Sequence, residues 1–139
     1  AEDAVAPLWA GQRFPLKSCI SGWTMLHAEP AVIEDIYADE RIPHALYRPT
    51  FVRSLSMVPV GDDQPVAAIG CYWAEPHRAG AEELELQQAV AGAMATGLEN
   101  LRLYEDMQAA RRDAEAAAGS LREQAAERAA AQMAMHASQ

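Results

Sequence analysis

The chain has 139 residues, the size of one domain or of a smaller domain with an appendage. Lys and Arg total 11 against 20 Asp and Glu, a formal charge of −9, which argues against a nucleic-acid-binding surface, whose usual footprint is basic. Half of the residues are hydrophobic, yet 30 are Ala, and of the 25 Leu, Ile, Val and Phe only Leu121 lies beyond residue 107, so the first hundred or so residues can bury a core and the last thirty cannot build one alone.

The sequence begins at Ala1 without a Met, a basic stretch or an apolar stretch, so no signal peptide is expected and the chain reads as a piece of a longer protein. Pro7, Gly11 and Pro15 punctuate residues 1–17 too often for a long helix or strand. Trp23 to Ala28 reads as a short helix of about two turns, with Ser21 as its cap and Glu29-Pro30 as its stop. Ala31 to Ile36 reads as a short strand, Asp39 to Pro43 as a turn, and His44 to Arg48 as a single helical turn halted by Pro49.

Phe51–Val60 and Val66–Trp73 are rich in β-formers and are joined by the loop Gly61–Pro65, which predicts a hairpin. Alternation along it predicts that Met57 and Ile69 face the core while Arg53 and Gln64 stay in water. The longest apolar run, Val66 to Ala74, has 9 residues, far short of the roughly 20 that a membrane helix needs.

From Ala81 onward there is no proline, and Glu82 and Glu83 suit the first turn of a helix. Leu86, Val90, Ala93, Met94, Gly97, Leu98 and Leu101 recur at helical spacing. From Leu103 the pattern narrows to alternating steps of four and three: Met107, Ala110, Ala114, Ala117, Leu121, Gln124, Arg128, Ala131, Met135 and Ser138. That is a heptad seam whose small and polar members predict a weak coiled coil; an Ala-rich solvated helix without a partner is the plainer alternative. Gly119-Ser120 sits within the seam and costs roughly 1 kcal/mol against Ala.

Residues that could carry chemistry are sparse. His27, His44, His77 and His136 make no metal-ligand spacing with each other or with a Cys, no phosphate-binding glycine loop is present, and Ser54-Leu55-Ser56 lacks the glycines of a nucleophile elbow. Asp35, Asp39 and Glu40 read as a solvated turn. His136 is followed by Ala137-Ser138 rather than by an acidic residue, unlike the phospho-accepting His of a kinase dimerisation helix. Cys19 and Cys71 are two thiols in 139 residues, which suits a reducing cytoplasm; Cys71, in a strand with nothing basic beside it, reads as core.

Taken in order, Ser21-Gly22-Trp23, Glu29 to Ile36, Asp39-Glu40-Arg41, Ser54 to Val60, Ile69-Gly70-Cys71-Tyr72-Trp73 and Leu98 to Tyr104 resemble the GAF domain of bacterial sensor proteins, above all of sensor histidine kinases. The pattern covers about residues 11–104, and each motif is short. The resemblance implies an α/β (α+β) fold: a central antiparallel sheet with flanking helices and a long C-terminal helix. It also implies that a helix and two strands usual in the family are missing before Gly11. The expected division is a GAF-like sensory domain at 1–104, N-terminally incomplete, and a coiled-coil signalling linker at 105–139.

The functional expectation is a non-catalytic sensory and dimerisation module. It would pass a change in the domain through the C-terminal helix to an output domain, foremost the histidine kinase of a two-component system. A homodimer would form through Leu103, Met107, Ala110, Ala114, Ala117, Leu121 and Met135, with no nucleic acid, no membrane insertion and no metal. The family's ligand site resembles the segment Asp35 to Phe51 over the sheet, which makes Tyr37, His44, Tyr47 and Phe51, with Tyr72 or Trp73, the candidate ligand-binding residues, His44 and Tyr47 for its polar contacts. The ligand's identity stays open. Bilin-binding members carry a Cys where Ile42 and Pro43 stand here, which argues against covalent bilin. The alternatives are a ligand-free dimerisation scaffold and a small cysteine-dependent redox enzyme on the same fold.

Overall fold

The computed structural model describes residues 3–137; Ser138, the last expected member of the seam, lies outside them. After a 3-10 turn at Leu16–Ser18, helix α1 spans Ile20–His27. Its cap is Cys19 and not Ser21. The Cys19 Sγ accepts the Gly22 N–H at 3.4 Å, while Ser21 is already the second helical residue, its hydroxyl 3.2 Å from the sulfur. Cap rules look for an oxygen acceptor, so a thiol in that role escapes them. The helix ends at Ala28, whose left-handed φ of 53° turns the chain two residues before Pro30.

Strand β1 is only Ala31–Ile33. The strand expected to reach Ile36 stops early because the Asp35 carboxylate accepts the Tyr37 N–H at 2.9 Å and caps a 3-10 turn over Ile36–Ala38. This is the local side-chain bond by which Asp competes with regular structure. Helix α2 is the single turn His44–Tyr47. Strands β2 (Ser54–Val60) and β3 (Ala67–Trp73) form the expected hairpin, and the sheet is antiparallel in the order β1-β2-β3. Ala31 lies opposite Met57, and Ser56 opposite Cys71.

Strand β2 is buried along almost its whole length because both faces of the sheet are covered. Leu55 and Met57 join Ile20, Ala31, Ile33, Ile36, Ile42, Tyr47 and Val52 in one core. Val58 and Val60 point the other way and pack with Ala67, Ile69 and three residues of the long helix: Leu84, Ala91 and Ala95. Met57 and Ile69 therefore both pack inward but on opposite faces, Gln64 is exposed, and Arg53 is half-exposed and ion-paired with Asp35 at 2.7 Å. Cys71 is exposed, against its expected place in the core.

Helix α3 runs over Ala81–Ala137. The Glu83 carboxylate accepts the Gly80 N–H at 2.8 Å and so caps it. Its sheet-facing side is Leu84, Gln87, Ala91 and Ala95. The larger Leu86, Val90 and Met94 face solvent. One buried polar contact fastens the helix: the Ser56 hydroxyl donates to Gln87 Oε1 at 2.6 Å, and Gln87 Nε2 donates to the carbonyls of Ile69 at 2.8 Å and Ser56 at 3.3 Å. The chain divides into two compact units, Ala1–Gly97 and Leu98–Gln139. In the second, Leu103, Met107, Leu121 and Met135 are all exposed in the single chain. Among the described residues, no helix is long and apolar enough to cross a membrane.

Candidate functional site

The hollow of interest lies on the sheet face away from α3. Met57 of β2 and Tyr72 of β3 form its floor, and Pro43, Leu46 and Tyr47 one wall. Cys19, Ile20 and Ser21, at the start of α1, form another, and Trp9 and Phe14 close it from the N-terminal segment. The hollow is half open to solvent and has a volume of about 50 Å³. Trp9 is its centre of packing: its ring meets Tyr47 at 4.7 Å, Tyr72 at 5.9 Å and Phe14 at 6.4 Å, all edge-to-face, the arrangement aromatic quadrupoles favour.

Gly70 is what lets Tyr72 lie flat in this hollow. A Cβ there would come within 2.8 Å of both the Tyr72 hydroxyl and the Met57 Cε. Burial, and then the neighbouring Tyr72 and Cys19, push the Tyr47 phenol well above its usual range, so it stays a neutral hydrogen-bonding group at every physiological pH. All ten lining side chains are uncharged. The site can therefore recognise a small neutral molecule by apolar contact and a few polar tips: the hydroxyls of Tyr47, Tyr72 and Ser21 and the thiol of Cys19.

The six residues expected to form a ligand site do not converge. Tyr47 and Tyr72 share the hollow. Phe51, Tyr72 and Trp73 line an open groove of about 540 Å³ beside Asp3, Ala4 and Val5. Tyr37 and His44 lie 5.6 Å apart outside both, with Arg53 over the Tyr37 ring and the His44 Nε2 3.1 Å from the Asp39 carbonyl. Trp9 and Phe14 were not expected at a site, and Cys19 only in the redox alternative. Two aromatics in a stretch broken by Pro7, Gly11 and Pro15 were the only signal.

The two cysteines are on opposite faces of the sheet. Cys71 sits opposite Ser56, whose side chain reaches α3, while Cys19 lines the hollow with Met57. Partial burial, then the charge of Glu83, raise the Cys71 thiol, which weakens it as a nucleophile. Among the described residues, no group of three or more His, Cys, Asp or Glu is placed to hold a metal ion.

The acidic turn is a clamp. Asp39 accepts Arg41 Nε at 3.0 Å, Nη2 at 2.6 Å and the Arg41 N–H at 2.9 Å; Arg41 lies 4.4 Å over Trp23, which stacks on His27 at 4.5 Å. The Arg41 hydrogen bond is the chief reason the Asp39 carboxyl falls below its ordinary 3.8. A carboxyl depressed in the folded state adds stability above its unfolded value and loses it as pH falls through its folded value. Asp39→Asn should therefore melt below the wild type at neutral pH, with the gap narrowing as the pH falls below the carboxyl's ordinary 3.8; parallel thermal melts across that range check this.

No protein-family model matches the sequence, and no curated protein matches it either. Solved structures do. The GAF domain of a phosphoenolpyruvate-protein phosphotransferase from Coxiella burnetii aligns with a TM-score of 0.59 at 17% identity, over 68% of this chain and 57% of that one. A domain of a putative two-component sensor histidine kinase from Sinorhizobium meliloti 1021 aligns with a TM-score of 0.52 at 14% identity, over 58% and 57%. A type II free methionine-R-sulfoxide reductase from Thermoplasma acidophilum aligns with a TM-score of 0.52 at 17% identity, over 59% and 57%. The chain thus spans a little over half the length of these chains. At such identities the likeness is one of architecture: the antiparallel sheet, the hollow on one face and the helix on the other are the fold of a GAF domain.

Proposed function

We propose that the chain is a sensory and dimerisation module, non-catalytic in itself, whose hollow responds to a small neutral ligand and whose long helix carries the response to an output domain, foremost a histidine kinase. The observation that carries this reading is the Ser56–Gln87 contact. Met57, on the floor of the hollow, is the chain neighbour of Ser56, and Ser56 holds Gln87 of α3 on the opposite face. A ligand that displaces Met57 or Tyr72 shifts β2 against β3, and the shift reaches Gln87 through hydrogen bonds to both strands. The helix that begins there is the α3 that continues to Ala137. Such a relay needs an element with two arrangements, only one of which the ligand favours; a pair of such helices is one.

Dimerisation through the second unit belongs to the same proposal. The seam of Leu103, Met107, Ala110, Ala114, Ala117, Leu121 and Met135 is exposed in the single chain, and a second copy of the helix would cover it. Light scattering should give a mass near twice 15.1 kDa at high concentration. Leu121→Glu should weaken the dimer more than any other single change in the tail, because it places a charge at a seam position. A mass of one chain at every concentration would remove the relay. Free thiols at both cysteines suit a reducing, cytoplasmic setting.

One observation favours a ligand-free scaffold instead: the cavity of about 50 Å³ is small and filled at its mouth by Trp9. Melting in the presence of small neutral metabolites separates the two. A stabilising shift that disappears in Tyr47→Ala supports sensing, and no shift across such a panel favours the scaffold. A redox enzyme is disfavoured, since the sheet separates the two thiols.

A further inference from the structure

The hollow already holds an aromatic ring, and the ring is the chain's own. This inference rests on the sensing reading above and concerns what the hollow selects and how it is emptied. The Trp9 ring meets Tyr47, Tyr72 and Phe14 at steep angles, with centroids 4.7, 5.9 and 6.4 Å away. The lining side chains are uncharged. Such a socket holds a neutral, flat ring by quadrupole contacts and apolar burial, and it offers no opposite charge to an ion.

Trp9 is held differently from the rest of the socket. Ile20, Tyr47, Met57 and Tyr72 stand on helices and strands. Trp9 stands on residues 3–14, which form no helix or strand, and it is only half-buried. A turn follows it: the Trp9 carbonyl accepts the Gln12 N–H at 2.9 Å, and Gly11 takes a φ of 80°, a left-handed value that favours glycine. The same segment borders the open groove with Asp3, Ala4 and Val5, and Tyr72 lines groove and hollow alike. Lifting residues 3–14 would therefore join the two into one cleft along β3. Segments that dock by a few side chains sit at the low end of local stability, from which moving parts are drawn.

We infer that residues 3–14 are a strap and Trp9 a resident competitor: the ligand is a small neutral aromatic of indole's size, which takes the place of the Trp9 ring and releases the strap. The exchange leaves the socket filled and opens the groove beside β3. Competition has a measurable signature. A ligand that waits for Trp9 to leave binds more weakly, in proportion to the fraction of time the socket is free. Removing Trp9 then strengthens binding, whereas removing a wall of the socket weakens it.

Titration calorimetry of the whole chain with indole reads the affinity. Trp9→Ala should bind indole about tenfold more tightly than the wild type. Gly11→Ala, whose added Cβ meets nothing within 4 Å, strains the turn and loosens the strap, and should bind about threefold more tightly. Tyr47→Ala should bind more weakly than the wild type. Any deletion of a packed ring leaves a hole that indole can fill, so the wild type carries the deciding measurement. With Trp9, Trp23 and Trp73 all labelled as fluorotryptophan, saturating indole should move the Trp9 fluorine resonance to its solvent-exposed position. The Trp23 resonance should stay, since that ring stacks on His27 outside the hollow. If indole binds the wild type with the Trp9 resonance unmoved, or binds only Trp9→Ala, the competitor is refuted, while a melting shift with another neutral metabolite would keep the sensing reading. If neither indole nor any other neutral solute shifts the melting of the wild type, the sensing reading fails and this one with it.

Discussion

Met57→Asp should yield no cooperatively folding protein. Met57 is 2% exposed, opposite Ala31 on β1 and Gly70 on β3, at the centre of the core that joins α1, α2 and the sheet. A carboxylate there has no cation in reach, since its surroundings are Ile, Leu, Tyr and Trp. Leaving a charge buried and unpaired costs several kcal/mol even after relaxation, and protonating it instead still leaves a polar group without partners. Losing the thioether's packing adds about 2–5 kcal/mol. The sum rivals the roughly 5–15 kcal/mol that hold a domain together. Met57→Leu, nearly equal in volume, should stay folded and serve as the control. A soluble Met57→Asp protein with a sharp thermal transition would overturn the placement of β2.

What the sequence disclosed about the fold follows the strength of its local signals. The β2–β3 hairpin was legible because two β-branched and aromatic runs flank a loop of Gly, Asp and Pro, and the left-handed Gly61, at φ 100°, is where it turns. Helix α3 was legible from its freedom from proline and its acidic first turn. Which side of α3 meets the sheet was not. Leu86, Val90 and Met94 make the more hydrophobic stripe, yet Ala91, Ala95 and Gln87 face the strands. A helix can lie close over a sheet only where its side chains are small, so size rather than hydrophobicity chose the face, and Gln87 is tolerated because all its bonds are met.

The hollow was half legible. Tyr47 and Tyr72 could be named because the segment before β2 and the hairpin strand are where the resembled fold holds ligands. Trp9 and Phe14 could not, because they come from a stretch without regular structure, whose path is set by tertiary contact. Alternation between Tyr72 and Trp73 was a sound guide: Tyr72 turns to the hollow, and Trp73 to the other side, against His77 at 4.4 Å.

Gly22→Ala separates local propensity from tertiary constraint, because the two predict opposite signs. In an isolated helix Ala is favoured over Gly by about 1 kcal/mol, and Gly22 lies inside α1. But the 3-10 turn before the helix presses its backbone onto this residue. A Cβ at position 22 would stand 1.6 Å from the Leu16 carbonyl oxygen, 2.5 Å from its carbon and 2.9 Å from its Cα. These are backbone atoms and cannot rotate aside, so α1 and the turn must separate. Separation pulls Cys19 off its cap on the Gly22 N–H and shifts Ile20, which is 1% exposed and lines the hollow. Overpacking of this kind costs roughly 3 kcal/mol or more, which outweighs the gain in propensity. For a folded unit of this size that is a fall of about 12 °C or more in Tm. Calorimetry on wild type and Gly22→Ala decides between the two: equal or higher melting in the variant would mean that Leu16 does not pack against α1 as described, and that the wall of the hollow built from Cys19 and Ile20 is misplaced with it.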